Sequence, residues 1–227
     1  MDNKIGKDLT GRSFKKEQLS GTKFLSCDLS GSDFSGCDIS SSDFSDSKLF
    51  STCFSGADAR NTVFDKATEI SKTVDLFNKC TKLCGASFRD CDLSEIDFRG
   101  LDLSGCDFSH AYIAGANFTD AKLDNAVFTY SDLTNCNFVN AALKNCDFSF
   151  AKLDGASFEK SEVDGSLFKS VNLSKHSLSE KQMKTVNLDD AYVDGEPIKG
   201  KNIVNTSSYI EPQRYEYPFD EDIKRER

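Results

Sequence analysis

Large apolar residues recur at every fifth position along most of the chain, with polar residues between them. The series runs from Leu9 to Phe64, loses its register, and resumes from Leu83 to Leu173, with phenylalanine alternating with leucine or isoleucine at most positions. We call these residues the centres. A small residue, usually Ala or Cys, stands two positions before a centre, and glycine commonly stands two positions after one. A five-residue period fits neither the 3.6-residue helix nor the two-residue strand.

A short extended side followed by a turn accounts for this period, because glycine at the turn tolerates a positive φ angle. Four such sides make a square coil of about 20 residues, and coils would stack at the β-strand spacing of roughly 4.8 Å. Residues 20 apart then lie above one another, so we predict two opposite columns of phenylalanine in the core. These columns are Phe88, Phe108, Phe128, Phe148 and Phe168, and Phe98, Phe118, Phe138 and Phe158. The substitution Phe128→Asp should therefore collapse the stack.

The repeated unit resembles the pentapeptide-repeat family over about residues 5–200. The resemblance implies an all-β solenoid, a right-handed quadrilateral β-helix with about 20 residues per coil. The predicted organisation is N-terminal β-helix coils over 1–64, an interruption over 65–82, a main stack over 83–173, weaker repeats with a C-terminal cap over 174–204, and a charged tail containing Tyr and Pro over 205–227.

The interruption at 65–82 contains Ile70, Val74 and Phe77 at helix-like spacing, which indicates a short amphipathic turn of helix. It is either a tolerated insertion that joins two stacks or a projecting recognition loop, because loops on rigid scaffolds carry specificity. The candidate contacts of such a loop are Glu69, Lys72, Asp75 and Phe77.

The composition narrows the class of protein. With 28 Lys and Arg against 37 Asp and Glu, the net charge is −9, which disfavours direct binding to nucleic acid. No apolar run approaches the roughly 20 residues of a membrane helix, and the N-terminus has no apolar signal segment. We expect a cytoplasmic protein, with secretion into a host cell by a non-Sec route as the alternative. Six of the nine cysteines occupy the small slot before a centre, which indicates free, buried thiols in a reducing compartment.

The main stack is acidic, since residues 83–173 hold 14 acidic and seven basic side chains. Many of the aspartates directly precede a centre, where a side chain on an extended segment points outward. They form a candidate partner-binding acidic face: Asp92, Asp97, Asp102, Asp107, Asp132 and Asp147. Either these charges keep the rod soluble and bond to the backbone at the turns, or they partly imitate the potential of duplex DNA. On either interpretation, Asp132→Ala is expected to leave folding nearly untouched.

A possible aromatic column lies on the outside of the same stack. His110, Tyr130 and Phe150 are 20 residues apart and should lie one above another at a corner. The column is either a contact for a partner, because aromatic residues are favoured at binding hot spots, or a stack that stabilises the rod.

No catalytic constellation is evident. His110 and His176 have no cysteines at a metal-binding spacing, and Cys80 with Cys84 forms a CxxxC without a second pair. The coil interior is filled by phenylalanine and leucine, which leaves no pocket for a small substrate. We expect a protein that is not an enzyme and needs no cofactor or metal.

Within the family, the sequence resembles the Qnr- and MfpA-like group that binds type II topoisomerases. This resemblance implies a protein partner, DNA gyrase or topoisomerase IV, and protection of that enzyme from quinolones or toxins, with no direct contact to nucleic acid or membrane. That group commonly has two loops and a dimerising C-terminal helix, whereas this sequence has one interruption and a tail containing Tyr and Pro. A homodimer through the C-terminal region therefore stays open. The alternative function is a protein-interaction scaffold or secreted bacterial effector with another partner, for which the tail 205–227 would be the docking peptide.

Overall fold

A computed structural model describes residues 3–73, 76–78, 81–175 and 177–198. Its regular elements are short: β1 (Lys4–Ile5), β2 (Phe24–Leu25), a 3-10 helix (Ile70–Lys72), β3 (Asn172–Leu173), α1 (Glu180–Met183), β4 (Tyr192–Val193) and β5 (Glu196–Pro197). Strands β1 and β2 pair in parallel, as do β3 and β4, and β5 pairs with β4 in antiparallel register. The tail predicted at 205–227 lies outside the described residues.

Single parallel β-bridges hold successive coils together between these short strands. Each bridge joins a residue directly before a centre to a residue 20 positions later, as in Asp33 with Cys53 and Asp107 with Val127, except across the interruption. The N–H of Ser32 donates to the carbonyl of Leu29 at 2.9 Å and closes a corner of the coil. These bridges give the 20-residue spacing that the five-residue period predicts.

The interior contains the two predicted columns of phenylalanine, and buried leucine and isoleucine centres fill the other two sides. All nine predicted core phenylalanines are 0% exposed. Within a column the rings stack, with Phe108 and Phe128 centroids 5.0 Å apart and Phe118 and Phe138 centroids 4.9 Å apart. Between the columns the rings meet edge to face, as Phe118 does with Phe128 at 5.9 Å and 83°. Buried aromatic rings contribute large apolar areas, so these columns are the main stabilising feature of the rod.

The interruption adds four residues to one coil without breaking the core. Across it the bridged residues are 24 apart, as in Val63 with Ser87, and the ring of Phe64 stacks on that of Phe88 at 5.4 Å. Ile70 and Leu76 are buried at 1% and 0% exposure. The extra residues therefore bury apolar side chains of their own, while one phenylalanine column continues across them.

Each end of the stack carries a side chain that covers the last ring or carbonyl. At the N-terminal end, the guanidinium of Arg12 lies 5.2 Å from the ring centroid of Phe14, which ends its column. At the other end, Ser179 and Gln182 form a capping box on α1. The Nε2 of Gln182 also donates to the carbonyls of Phe158 at 2.9 Å and Ser161 at 3.0 Å. Open solenoid ends need such covers, because they otherwise expose unpaired backbone groups.

Candidate functional site

The six aspartates predicted as an acidic face lie on four different sides of the coil. The bridges place Asp92 and Asp132 in one column, where Tyr112 and Lys152 alternate with them. Asp107 and Asp147 share a second column. The other two aspartates lie in the two remaining columns, Asp97 below Asn117 and Asp102 below Lys122. The expectation of one continuous acidic face is therefore wrong, because residues five apart fall on successive sides.

All six aspartates make the same local hydrogen bond. In each, Oδ1 accepts the backbone N–H two residues later, at 2.9 to 3.2 Å, so the carboxylate fixes the corner that follows the centre. This is an Asx turn, which suits Asp and Asn for structural reasons. At Asp97 the carboxylate also binds Arg99 at 2.6 Å, and the hydrogen bond from Arg99 lowers the pKa of Asp97.

The exposure of these carboxylates differs widely. Asp92, Asp97 and Asp102 are exposed, whereas Asp107 and Asp147 are half-buried. Asp132 is only 4% exposed and lies 3.3 Å from Nζ of Lys152. Asp132 is therefore not available to a partner, and its assignment to an exposed surface is wrong.

The predicted loop contacts divide between the outside and the inside of the coil. Glu69 precedes the 3-10 helix with a φ of 56°, and Lys72, the last residue of that helix, is exposed. Phe77 is half-buried, and its ring packs on Phe88 at 5.7 Å and on Phe98 at 5.1 Å, so this ring belongs to the core and does not project. The predicted contact Asp75 lies outside the described residues.

The predicted aromatic column is present at one corner of the main stack. The rings of His110 and Tyr130 stack at 5.1 Å and 5°, and those of Tyr130 and Phe150 at 4.8 Å and 4°. Tyr130 is 36% exposed and Phe150 is 48% exposed, while His110 is also exposed. These three residues, the aromatic ladder, form a run of exposed rings on an otherwise polar corner.

The small slot two positions before a centre supplies hydrogen bonds as well as space. The thiols of Cys136 and Cys146 donate to the carbonyls of Ile113 and Leu123, each 23 residues earlier, at 3.0 Å. Hydroxyls in the same slot do likewise, as Ser42 does with the carbonyl of Leu19 at 2.7 Å. The sequence pattern predicts these cysteines as small apolar residues, and the serine and threonine found in the same slot are the signal that the slot needs a donor.

Burial makes these thiols unreactive. It raises the pKa of Cys136 and of Cys146 to about 12, so neither carries a thiolate at neutral pH. The eight cysteines of the described ranges are unpaired thiols, and Cys84 is the exposed one among them. Cys80 and His176, noted in the sequence, lie outside the described residues.

A cleft lies beside α1 in the part of the chain that the structure describes. Its lining includes Glu159, Glu162, Asp164 and Gln182, and among its described lining residues there is no Cys or His. Within the described ranges, no three His, Cys, Asp or Glu side chains are grouped so that they could hold a metal ion. The helices of the described residues are all too short or too polar to cross a membrane. The exposed rings of the aromatic ladder and the exposed carboxylates make the outer surface of the coil the candidate site.

Comparison with known proteins identifies the repeat. A family model described as pentapeptide repeats matches residues 8–40, 27–65, 81–120, 121–159 and 143–180, which together cover more than half of the chain. A search of curated proteins finds no match.

Three solved structures illustrate the likeness. A pentapeptide repeat protein from the thylakoid lumen of Arabidopsis thaliana is 28% identical over 41% of this chain and 72% of its own, with a TM-score of 0.35. Full-length QnrB1, a plasmid-mediated fluoroquinolone resistance protein, is 20% identical over 85% of this chain and 94% of its own, with a TM-score of 0.40. HetL, involved in heterocyst differentiation regulation in Nostoc sp. strain PCC 7120, is 21% identical over 73% of this chain and 92% of its own, with a TM-score of 0.24.

Proposed function

The chain belongs to the pentapeptide-repeat family, whose members fold as right-handed quadrilateral β-helices, and we propose that it is a non-enzymatic protein that binds a protein partner through the outside of such a coil. Its interior is filled by stacked rings, so the surface is what it offers to other molecules. We further propose that the partner is a type II topoisomerase, DNA gyrase or topoisomerase IV, whose DNA-binding surface receives the acidic rod as a partial DNA mimic.

The observation that carries this proposal is the acid excess of the main stack on all of its sides. Residues 83–173 have a net charge of −7. They span about 4.5 coils, or roughly 22 Å of axis at about 4.8 Å per coil, so the rod carries about one net charge per 3 Å. Duplex DNA carries about one charge per 1.7 Å, so the rod has roughly half its charge density. A cylinder with carboxylates on every side resembles a duplex more than a single acidic face would.

The test is DNA supercoiling by gyrase, with and without a quinolone, against a titration of the protein. We expect inhibition or protection that weakens as salt is raised, because screening reduces attraction between separated charges. No effect up to a large molar excess would refute the topoisomerase assignment.

A charge variant and a matched control sharpen this test. The triple variant Asp92→Asn, Asp97→Asn, Asp102→Asn keeps the oxygens that accept the corner N–H groups and removes three exposed charges. Asn117 and Asn137 already make the same bond, at 3.1 and 3.0 Å, so the fold should be retained. The control Lys122→Gln, Lys144→Gln, Lys160→Gln makes the rod more acidic by the same amount. DNA mimicry is supported if the first variant inhibits or protects gyrase less than the native protein while the second does so undiminished. Equal effects of the two variants on gyrase would contradict mimicry.

A second candidate function is an interaction scaffold or secreted effector with another partner, and the aromatic ladder is the observation that favours it. An exposed stack of rings is suited to a hydrophobic contact, which DNA mimicry does not need. Deletion of 205–227 tests the contribution of the tail: a change in localisation or binding with an unchanged circular dichroism spectrum would assign it a docking role. If binding and localisation are both unchanged, the tail has no such role.

A further inference from the structure

The corner position two residues after each centre has a strict conformational requirement. Among the described residues, glycines there have φ angles such as 65° at Gly100 and 71° at Gly155, and the non-glycine residues there also have positive φ. Bulky side chains disfavour this left-handed region, which Gly and Asn tolerate best. Most corners of the main stack obey this preference, with Gly, Asn or Asp.

One corner column departs from it in three consecutive coils. His110, Tyr130 and Phe150 adopt φ angles of 60°, 60° and 62°. They are the only aromatic residues with positive φ among the described residues, and all three occupy the same corner. The positive φ of this corner therefore disfavours the three aromatic side chains that the sequence places there. Local rules that a sequence breaks without a folding benefit are expected at functional sites.

The ladder is only partly covered by the rest of the fold. Its rings stack on one another, but Tyr130 and Phe150 remain 36% and 48% exposed. The same column continues with Asp90 one coil below and Ser170 one coil above, so the stack ends abruptly on both sides. A column that served the fold would be expected to run along the rod, as the buried phenylalanines do.

The ladder stands beside a recessed shelf of small hydroxyl residues. Ser109 and Ser149 are each 5% exposed, and Thr129 donates to Ser109 at 3.0 Å between them. Rings at the corner therefore project beyond the side that precedes them. A partner must offer a groove to fit this ridge.

The charges around the ladder are mostly acidic. The ion pairs of Arg89 with Asp107 and of Lys152 with Asp132 neutralise two carboxylates close to it in the coil. The other charged residues flanking the ladder are Asp90, Asp92 and Asp147 against Lys169. A partner groove with a basic rim would complement this surface.

We propose that the aromatic ladder is a docking ridge for a protein partner whose apolar groove is rimmed by Lys and Arg. The proposal rests on the proposed function in its general form, binding of a protein partner, and not on topoisomerase as that partner. The three rings would insert into the groove as hot-spot residues, and the flanking carboxylates would meet its rim.

A second copy of this chain fits the ridge less well. Taking roughly 200 Å² for each side chain, Tyr130 and Phe150 together expose about 170 Å², against the roughly 800 Å² that each partner buries in a stable interface. The remaining area would have to come from the flanks. In a pair of copies, each with a net charge of −9, those flanks would bring carboxylates against carboxylates.

The test compares the native protein with two variants, each of which has three asparagines in one corner column. The ladder variant His110→Asn, Tyr130→Asn, Phe150→Asn places three asparagines at the ladder corner. The control Asp120→Asn, Lys160→Asn places three asparagines at another corner, because Asn140 is already there, and leaves the net charge unchanged. All three proteins are used as full chains.

The first readout is thermal unfolding. We expect the ladder variant to unfold at the same temperature as the native protein or at a higher one, because asparagine suits a positive φ. A midpoint lowered by several degrees, with no such change in the control, would mean that the ladder is a structural brace and would overturn the proposal.

The second readout is selection of random short peptides displayed on phage against the native protein. We expect the enriched peptides to combine Lys or Arg with apolar residues, and to bind the ladder variant about tenfold or more weakly while binding the control unchanged. Peptides that bind all three proteins equally, or that lack basic residues, would overturn the proposal. A concentration-dependent dimer in sedimentation that is lost in the ladder variant would also overturn it, in favour of a second copy. None of these readouts uses gyrase, so failure here and failure of the supercoiling test are separate results.

Discussion

Replacing Asp132 by alanine should lower the free energy of unfolding by about 2–3 kcal/mol, because it removes a buried acceptor. Asp132 is 4% exposed, and its Oδ1 accepts the N–H of Thr134 at 3.0 Å. Leaving such a donor without its partner costs about 1–3 kcal/mol. The ion pair with Lys152, at 3.3 Å, adds less than about 1 kcal/mol, because the lysine side chain is 47% exposed.

Two companion variants separate these contributions. Asp92 lies in the same column and accepts the N–H of Ser94 at 3.1 Å, but it is exposed. Water can replace its carboxylate, so Asp92→Ala should cost only about 0.5–1 kcal/mol. Asp132→Asn keeps an acceptor for the Thr134 N–H and should cost less than Asp132→Ala.

The assay is urea unfolding at neutral pH followed by far-ultraviolet circular dichroism, with the denaturant slopes compared between variants. Equal losses for Asp132→Ala and Asp92→Ala would refute the argument from burial. They would also restore the expectation from sequence that Asp132 can be replaced with little effect on folding.

Corner glycines, an ion-pair cluster and the thiols provide further tests. A Cβ at Gly155 would require Oδ1 of Asn135 to rotate away, whereas a Cβ at Gly31 meets nothing within 4 Å. Gly155→Ala should therefore lower the thermal midpoint slightly more than Gly31→Ala, although their φ angles of 71° and 66° are similar; equal losses would mean that the positive φ alone sets the cost. The pKa of Asp58 is lowered to about 2, chiefly by the hydrogen bond from Arg60. This stabilisation is present above about pH 4 and is lost as the pH falls towards 2. In urea unfolding, Asp58→Asn should therefore lower the free energy of unfolding by about 1 kcal/mol at pH 7 and by almost nothing at pH 2. A loss that does not depend on pH would exclude a charge effect. Cys84 is exposed and should react with a thiol reagent in the native protein. Cys136, whose pKa burial raises to about 12, should react only after unfolding. Mass spectrometry of labelled peptides distinguishes the two sites, and labelling of Cys136 in the native protein would contradict its burial.

The coil spacing and the core were predictable because every coil meets the same local constraints. A centre must be apolar to fill the interior, and the corner two residues later must accept a positive φ. Both constraints recur every five residues, so many weak signals add up to one spacing. The stack of Phe108 on Phe128 at 5.0 Å follows directly from the 20-residue separation of these residues.

The placement of the acidic side chains was mispredicted although the same period determines it. Asp92, Asp97 and Asp102 are five residues apart, so a four-sided coil must put them on successive sides. The burial of Asp132 was harder to predict, because it depends on neighbours one coil away. Lys152, 20 residues later, reaches the Asp132 carboxylate at 3.3 Å, and the sequence period does not reveal the path of its side chain.

The sequence predicts a short turn of helix in the interruption, but not how the coil accommodates the extra residues. Ile70 and Phe77 have helix-like spacing, and among the described residues of 65–82 the three residues Ile70–Lys72 form the predicted short turn of helix, as a 3-10 turn. The rings of Phe64 and Phe88 still stack at 5.4 Å, because continuity of the buried column outweighs the spacing along the chain. Four extra residues are then accommodated around the column, as the 24-residue spacing of Val63 and Ser87 shows.

The Asx turns explain the position of the six aspartates but not their charge. Asn117 and Asn137 accept the same corner N–H groups at 3.1 and 3.0 Å, so the fold requires an Asx oxygen and not a carboxylate. The other eight acidic residues of 83–173 are nearly balanced by its seven basic residues. The net charge of −7 therefore comes almost entirely from the six aspartates, whose Asx turns asparagine could also form. The charges of Asp97, Asp107 and Asp132 also pair with Arg99, Arg89 and Lys152. The charge at the other three aspartates therefore reflects solubility or a partner. Exchange of aspartate for asparagine separates the two, since solubility depends on the total charge, whereas a partner depends on where that charge is exposed.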